Sequence, residues 1–228
     1  MRPLGDALAA RGFPVRGVRL AGHGTTVTDL ARTAWTDWYA SVEAEHARLA
    51  RDVARVAVVG LSMGALLALH LAATRPAAVA ALVLCGTPLR LGEARARWLP
   101  VLAHLPPLWQ WIERRWGLIP KTSGPDIADP IMRAASPSYH ATPIQGVLEV
   151  LRLQRVVRGE LRCVTQPALL LHGAEDHSVP LENLERLRRG LGSTVVEAHV
   201  LPRSWHVITV DVERNRVAEL VADFLERV

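Results

Sequence analysis

Short apolar runs alternate with longer amphipathic segments along most of the chain. The runs are rich in valine, leucine and alanine and are bounded by glycine, proline or charged residues, which is typical of buried strands. In the segments between them, apolar residues recur with the spacing of one helix face. This pattern predicts strands at 13–20, 55–60, 80–86, 167–172 and 194–201, and helices at 3–11, about 34–52 and 62–75.

The C-terminal segment has the clearest helical pattern. We expect Asp211 to be the N-cap of this helix, because a short acidic side chain can accept a hydrogen bond from a free N–H in the first turn. Strands that alternate with helices predict an α/β fold, with a mostly parallel sheet covered by helices on both faces. The apolar stripe of the last helix consists of Val217, Leu220, Val221, Phe224, Leu225 and Val228.

One region interrupts the alternation. Between Leu89 and Arg158 the pattern predicts no strand and only short helical pieces, and prolines are frequent. We expect residues 89–158 to form a helical cap, or lid, inserted into an α/β core of residues 1–88 and 159–228. Its tryptophans either pack as ordinary core or line a substrate pocket. They are Trp98, Trp109, Trp111 and Trp116.

Composition narrows the class of protein. A chain of 228 residues fits one domain with an insertion, and it has no apolar run long enough for stable membrane insertion. The net charge is +5, but the arginines are scattered among acidic residues, so we expect no nucleic-acid partner. Cys85 lies in an apolar run, and neither it nor Cys163 has metal-binding spacing. With no signal peptide visible, we expect a cytoplasmic protein.

The run at 55–60 leads into Gly60-Leu61-Ser62-Met63-Gly64, followed at once by a helical pattern. A glycine two residues on either side of a serine, between a strand and a helix, is the pattern of a nucleophile elbow. We expect Gly60 and Gly64 where strand and helix pass too closely for a Cβ. The backbone N–H of Met63, at the helix start, is suited to stabilise an oxyanion. The alternative is a strand-to-helix turn with an incidental serine.

A serine nucleophile needs a base and an acid that orients the base. Asp176 follows the predicted strand at 167–172 and is the candidate acid, with Glu175 as its competitor. His206 follows the last predicted strand and is the candidate base, with His177 as the runner-up. Two further histidines near strand ends are expected to hold loops by hydrogen bonds: His23 and His172.

Four motifs together resemble the α/β-hydrolase superfamily. They are Gly22-His-Gly24, Gly60-Leu-Ser-Met-Gly64, His172-Gly-Ala-Glu-Asp-His-Ser-Val-Pro180 and Ser204-Trp-His-Val-Ile208. Within the superfamily, the chain is similar to small bacterial carboxylesterases and to the monoacylglycerol-lipase-like, serine aminopeptidase group. The resemblance implies hydrolysis of a small lipophilic ester through an acyl-enzyme, with Ser62, Asp176 and His206 as the triad and with no metal or cofactor.

The sequence departs from the family at its start. The family has an earlier strand ending in His-Gly, whose loop gives the second oxyanion donor. That strand would lie between the predicted strands at 13–20 and 55–60, and two edge strands usually precede it. We expect either a start codon placed too late, with about 20 to 40 further residues, or a truncated or degenerate copy. The second case predicts a non-catalytic binding protein, or a gene fragment that does not fold stably.

Overall fold

The structure is a computed structural model that describes residues 1–90, 117–120, 124–137 and 139–228. Four strands of this part form a parallel sheet in the order β1-β2-β5-β6, and the other two form a separate antiparallel pair. This confirms the predicted parallel sheet. The strands are β1 (Ala57–Leu61), β2 (Ala81–Cys85), β3 (Leu118–Pro120), β4 (Ala141–Pro143), β5 (Ala168–Gly173) and β6 (Val196–Leu201).

Helices cover both faces of the sheet, as predicted. Successive side chains of a strand point to opposite faces, so Leu82 and Leu84 pack with one set of helices and Val83 with the other. The α-helices of the described residues are α1 (Arg2–Ala10), α2 (Val27–Ala31), α3 (Trp35–Leu49), α4 (Met63–Thr74), α5 (Pro130–Ala134), α6 (Ile144–Glu160), α7 (Glu182–Gly190) and α8 (Arg214–Arg227). The first set includes α3, α4 and α6, and the second includes α1 and α8. None of the described helices is long and apolar enough to cross a membrane.

The region between Leu89 and Arg158 differs from the sequence prediction in two ways. Helix α6 is 17 residues long rather than short, and its Leu153 and Val157 belong to the same buried cluster as α4. Strands β3 and β4 were not expected. The division into core and cap stays a prediction, and the cap tryptophans (Trp98, Trp109, Trp111 and Trp116) lie outside the described residues.

The predicted N-cap at Asp211 is wrong. Helix α8 begins at Arg214, and the residue before it is Glu213. The carboxylate of Asp211 is buried and instead accepts hydrogen bonds from the backbone N–H groups of Trp205 and Ala128. The local pattern assigned this carboxylate to the N-terminus of the helix, but it binds backbone groups of other segments instead.

The predicted strand at 13–20 is also wrong. These residues belong to no strand, although they are not helical either. A strand exists only where a neighbour accepts and donates its ladder hydrogen bonds, and no described strand lies beside this segment. Val15 and Val18 accordingly remain 45% and 41% exposed.

A groove of about 1030 Å³ is lined both by this segment and by β1, which is an edge strand of the described sheet. Its lining includes Phe13–Val18 and residues 56–63, and helices α1, α3 and α4 contribute apolar side chains. Strand β1 is entirely apolar, as is typical of a central parallel strand, yet it is only partly buried. The opposite edge, β6, carries Glu197 and His199, as an edge strand should.

Strand β1 crosses α4 at Gly60. A Cβ on Gly60 would lie 2.4 Å from the carbonyl oxygen of Gly64 and 2.5 Å from the Cα of Ala65, so the close approach expected there is present. Gly64 does not fit the same explanation, because a Cβ built on it meets no atom within 4 Å among the residues that the structure describes. Gly64 lines the groove instead.

The two glycines therefore predict opposite responses to alanine. Gly60→Ala forces the strand and helix apart and lowers the free energy of unfolding by about 1–3 kcal/mol, as overpacking of a close contact does. Gly64→Ala is the matched control and is neutral or stabilising by up to about 1 kcal/mol, because glycine in a helix is entropically costly. Urea unfolding of both variants measures the difference, and equal destabilisation would contradict this account of the crossing.

Candidate active site

Ser62 occupies the turn between β1 and α4. It has φ 54° and ψ −121°, and it is the one non-glycine residue with positive φ in the part of the chain that the structure describes. Such a backbone conformation costs about 1–3 kcal/mol and persists only where neighbours enforce it. Here the N–H of Ser62 donates to the carbonyl of Cys85 at 2.8 Å, which continues the β1–β2 ladder into the turn. The serine is thus fixed at the carboxyl end of the sheet.

Met63 follows as the first residue of α4. The first backbone N–H groups of a helix have no acceptor within the helix, and the helix dipole places partial positive charge there. The N–H of Met63 is therefore suited to receive negative charge that develops beside Ser62.

Asp176 and His206 are joined by a hydrogen bond. The Nδ1 of His206 lies 2.7 Å from the Oδ2 of Asp176, whose side chain is 1% exposed. The other oxygen, Oδ1, accepts from the backbone N–H groups of Ser178 and Val179 at 2.9 and 2.7 Å. Glu175, the competitor for this position, is exposed. The structure thus pairs His206 with Asp176.

The ring of His206 lies beside the end of β2. A Cβ on Gly86 would be 3.2 Å from the Nδ1 and Cε1 of His206, so the imidazole packs directly on this glycine. The register pairs Leu61 with Cys85, which places Ser62 next to Gly86, the residue that follows the neighbouring strand β2. Adjacent strands are about 4.8 Å apart. The loops after β1, β2 and β6 therefore bring the serine and the histidine to one place.

His172 makes the loop contact that the sequence predicted and a second contact, with Asp176, that it did not predict. Its Nε2 is 3.0 Å from the carbonyl oxygen of Val179, which is the expected loop-holding bond, but it also lies 3.3 Å from the Oδ2 of Asp176. Burial would raise the pKa of Asp176, but the hydrogen bonds from His172, His206 and the N–H of Val179 hold that pKa well below its ordinary value. The carboxyl is thus kept ionised.

The other candidates have different contacts. His177, the runner-up base, bonds through Nδ1 to Asp126 at 3.0 Å, and its side chain is 61% exposed. His23 bonds the carbonyl of Ala21, as a loop-holding residue should. Cys85 is fully buried, and burial raises the pKa of its thiol to about 12, so it is not a nucleophile at neutral pH. No cluster of three or more metal-ligating side chains occurs within the described ranges.

The lowered pKa of Asp176 predicts how stability depends on pH. A carboxyl with a lowered pKa in the folded state contributes stability above its unfolded pKa of about 3.9, and the contribution is lost as the pH falls through the folded value. We expect Asp176→Asn to be about 1.5–3 kcal/mol less stable than wild type at pH 7, with a gap that narrows below about pH 4. Urea unfolding from pH 7 to pH 3 measures this.

The exposed neighbour provides the control for that series. Glu175→Gln is expected to follow the wild-type curve within about 0.5 kcal/mol at every pH. A difference between Asp176→Asn and wild type that stays constant down to pH 3 would show that the buried carboxyl is not held ionised.

The known proteins that this chain resembles are hydrolases. The family model described as serine aminopeptidase, S33, matches residues 1–213. The chain is 32% identical to a thermostable monoacylglycerol lipase of Bacillus sp. (strain H-257), over 100% of this chain and 85% of that protein. It is 23% identical to a carboxylesterase of Bacillus subtilis (strain 168), over 100% and 87%.

Solved structures show the same fold. A structure reported for LipS and LipT, two metagenome-derived lipolytic enzymes, has a TM-score of 0.89 at 28% identity, covering 100% of this chain and 88% of the other. A monoacylglycerol lipase of Paleococcus ferrophilus has a TM-score of 0.74 at 17% identity, covering 97% and 86%. The described structure also has a strained serine turn after a strand of a parallel sheet. Because the family model matches residues 1–213, the chain belongs to the serine aminopeptidase S33 family of α/β-hydrolases.

Proposed function

We propose that the protein hydrolyses carboxylic esters, with Ser62 as nucleophile, His206 as general base and acid, and Asp176 as the group that orients the histidine. One observation carries the proposal: the hydrogen-bonded pair of His206 and Asp176 lies at the end of the sheet where Ser62 sits in its strained turn. A hydroxyl becomes an effective nucleophile only beside such an oriented base.

The reaction has two halves. The Oγ of Ser62 attacks the ester carbonyl while the Nε2 of His206 takes its proton. The carbon–oxygen bond to the alcohol then breaks, and the histidine gives that proton to the leaving oxygen. The same nitrogen then deprotonates a water molecule, which attacks the acyl carbon. The bond from this carbon to the Oγ of Ser62 breaks, the histidine returns the proton to Oγ, and the carboxylic acid is released. Throughout, Asp176 accepts the Nδ1–H of His206 and stabilises the imidazolium.

The substrate class follows from the relatives. The curated matches are a monoacylglycerol lipase and a carboxylesterase. We therefore propose monoacylglycerols and other lipophilic esters of small to medium acyl chain as the substrates.

We propose the cytoplasm as the site of action, because Cys85 and Cys163 are both free thiols, as is usual in a reducing compartment.

Substitution of the three residues tests the roles. On a p-nitrophenyl ester and on a monoacylglycerol, Ser62→Ala and His206→Ala lower kcat by at least about 10³-fold, and Asp176→Asn by about 10²–10⁴-fold, because the histidine loses its orienting partner. His199→Ala on β6 is the matched histidine control and retains the wild-type rate. Equal rates for Ser62→Ala and wild type would refute the mechanism.

The oxyanion needs a second donor. Removal of one donor from such a site typically lowers kcat by about 10²–10³-fold, and beside Ser62 the described residues offer the N–H of Met63. In this fold the second donor comes from the loop after a strand next to the nucleophile's strand. The groove along β1 has the place and the apolar lining for such a strand, and Ser62, Met63 and Met1 all line it. We propose that a strand pairing with β1 fills the groove and that the loop after this strand supplies the donor.

Extension of the chain tests this part of the proposal. A version of the chain that carries such a strand before Met1 is expected to have a kcat about 10²–10³-fold above that of residues 1–228. Gly64→Ala gives a matched control, because a Cβ there meets no atom of the described residues within 4 Å but would face the added strand. The substitution should be neutral in residues 1–228 and destabilising in the extended protein. An extension that changes neither kcat nor stability would contradict the proposal.

A further inference from the structure

The loop that carries Asp176 is held by a residue far away in the sequence. Asp126, which precedes α5, accepts hydrogen bonds from the next two residues after Asp176. Its Oδ2 lies 3.2 Å from the backbone N of His177 and 2.6 Å from the Oγ of Ser178, and its Oδ1 lies 3.0 Å from the Nδ1 of His177. The side chain of Asp126 is 14% exposed.

The same residue also binds the loop that carries His206. The backbone N–H of Val207, the residue directly after His206, donates to the carbonyl oxygen of Asp126 at 3.1 Å. A second contact joins the same two loops, because the ring of His177 lies edge-on against the ring of Trp205, with their centroids 4.5 Å apart. Asp126 therefore contacts the immediate neighbours of both members of the histidine–aspartate pair.

The hydrogen bonds of Ser178 connect Asp126 to the carboxylate of Asp176. The N–H of Ser178 donates to the Oδ1 of Asp176, while its hydroxyl donates to Asp126. The position of Ser178 thus helps to fix the direction of the Asp176 side chain and hence of Oδ2, the oxygen that His206 contacts. A displacement of about 1 Å in such a geometry is enough to lower a rate by about 10²-fold.

We infer that Asp126 is a positioning residue, which sets the hydrogen bond between His206 and Asp176 by clamping together the two loops that carry them. The inference rests on the proposed function for its consequence in catalysis. Asp126 is not a catalytic residue, because it acts through Ser178 and Val207 rather than on substrate. It differs from the fully buried Asp211, whose carboxylate accepts hydrogen bonds from the backbone N–H groups of Trp205, Ala128, Asp129 and Val212. Within the described residues, these donors do not include the loop of Asp176.

The chain offers a matched control in the same segment. Asp129 is also an acidic residue just before α5, but its carboxylate bonds the first turn of that helix and Arg214. Asp129→Ala therefore removes a carboxylate from the segment without freeing either loop. Asp126→Asn is the conservative variant, because its amide oxygen still accepts from the N–H of His177 and the hydroxyl of Ser178.

The experiment compares these variants in two measurements, of which one does not require activity. We expect Asp126→Ala to lower kcat on a p-nitrophenyl ester by about 10- to 100-fold with KM changed less than about twofold, since only the orientation of the base is altered. In proton NMR, the low-field Nδ1–H signal of His206, assigned by its loss in His206→Gln, should exchange with water at least about tenfold faster. Tenfold corresponds to about 1.4 kcal/mol, which is within the range of one hydrogen bond.

The expected and the contradicting outcomes differ for each variant. Asp126→Asn should recover most of both readouts, and Asp129→Ala should match wild type. The inference is overturned if Asp126→Ala exchanges at the wild-type rate, or if Asp129→Ala loses as much as Asp126→Ala, since either shows that the clamp does not act on the histidine. If wild type has no esterase activity, the proposed function fails while the exchange measurement still tests the clamp.

Discussion

Parallel pairing of four strands is the constraint on which the site depends. The carboxyl ends of parallel strands meet at one edge of a sheet, so residues that are distant in sequence are brought together there. Ser62 follows β1, Asp176 follows β5 and His206 follows β6. The β1–β2 register also sustains the strained backbone of Ser62, because its N–H continues the ladder to Cys85. Loss of that register would release the nucleophile and separate it from its base.

Features encoded by local sequence could be predicted. The turn at Ser62 and the close crossing at Gly60 follow from a short motif between a strand and a helix. The pairing of His206 with Asp176, in preference to Glu175, follows from their places after the last two strands of the parallel sheet. In each case the position of the residue relative to its own strand was sufficient, because a parallel sheet brings such positions together without further information.

Features that depend on distant partners could not be predicted. Residues 13–20 have the composition of a strand, but a strand also requires a neighbour, and composition does not reveal whether one is present. Asp211 resembles an N-cap locally, but its buried carboxylate binds the loop before His206 and the segment at 128–129. Asp126 belongs to no motif, since the residues that it clamps lie more than about fifty positions away, as in any non-local contact.

We propose above that Ser62 is a nucleophile activated by His206. A fluorophosphonate probe tests this directly, because it phosphonylates only a serine whose hydroxyl is activated by a base. Peptide mass mapping of the treated protein, with and without a strand added before Met1, locates the adduct. We expect a phosphonyl group on Ser62 in the wild type and none in His206→Ala. An adduct absent from Ser62 in both forms of the folded protein, or formed equally in His206→Ala, would contradict it.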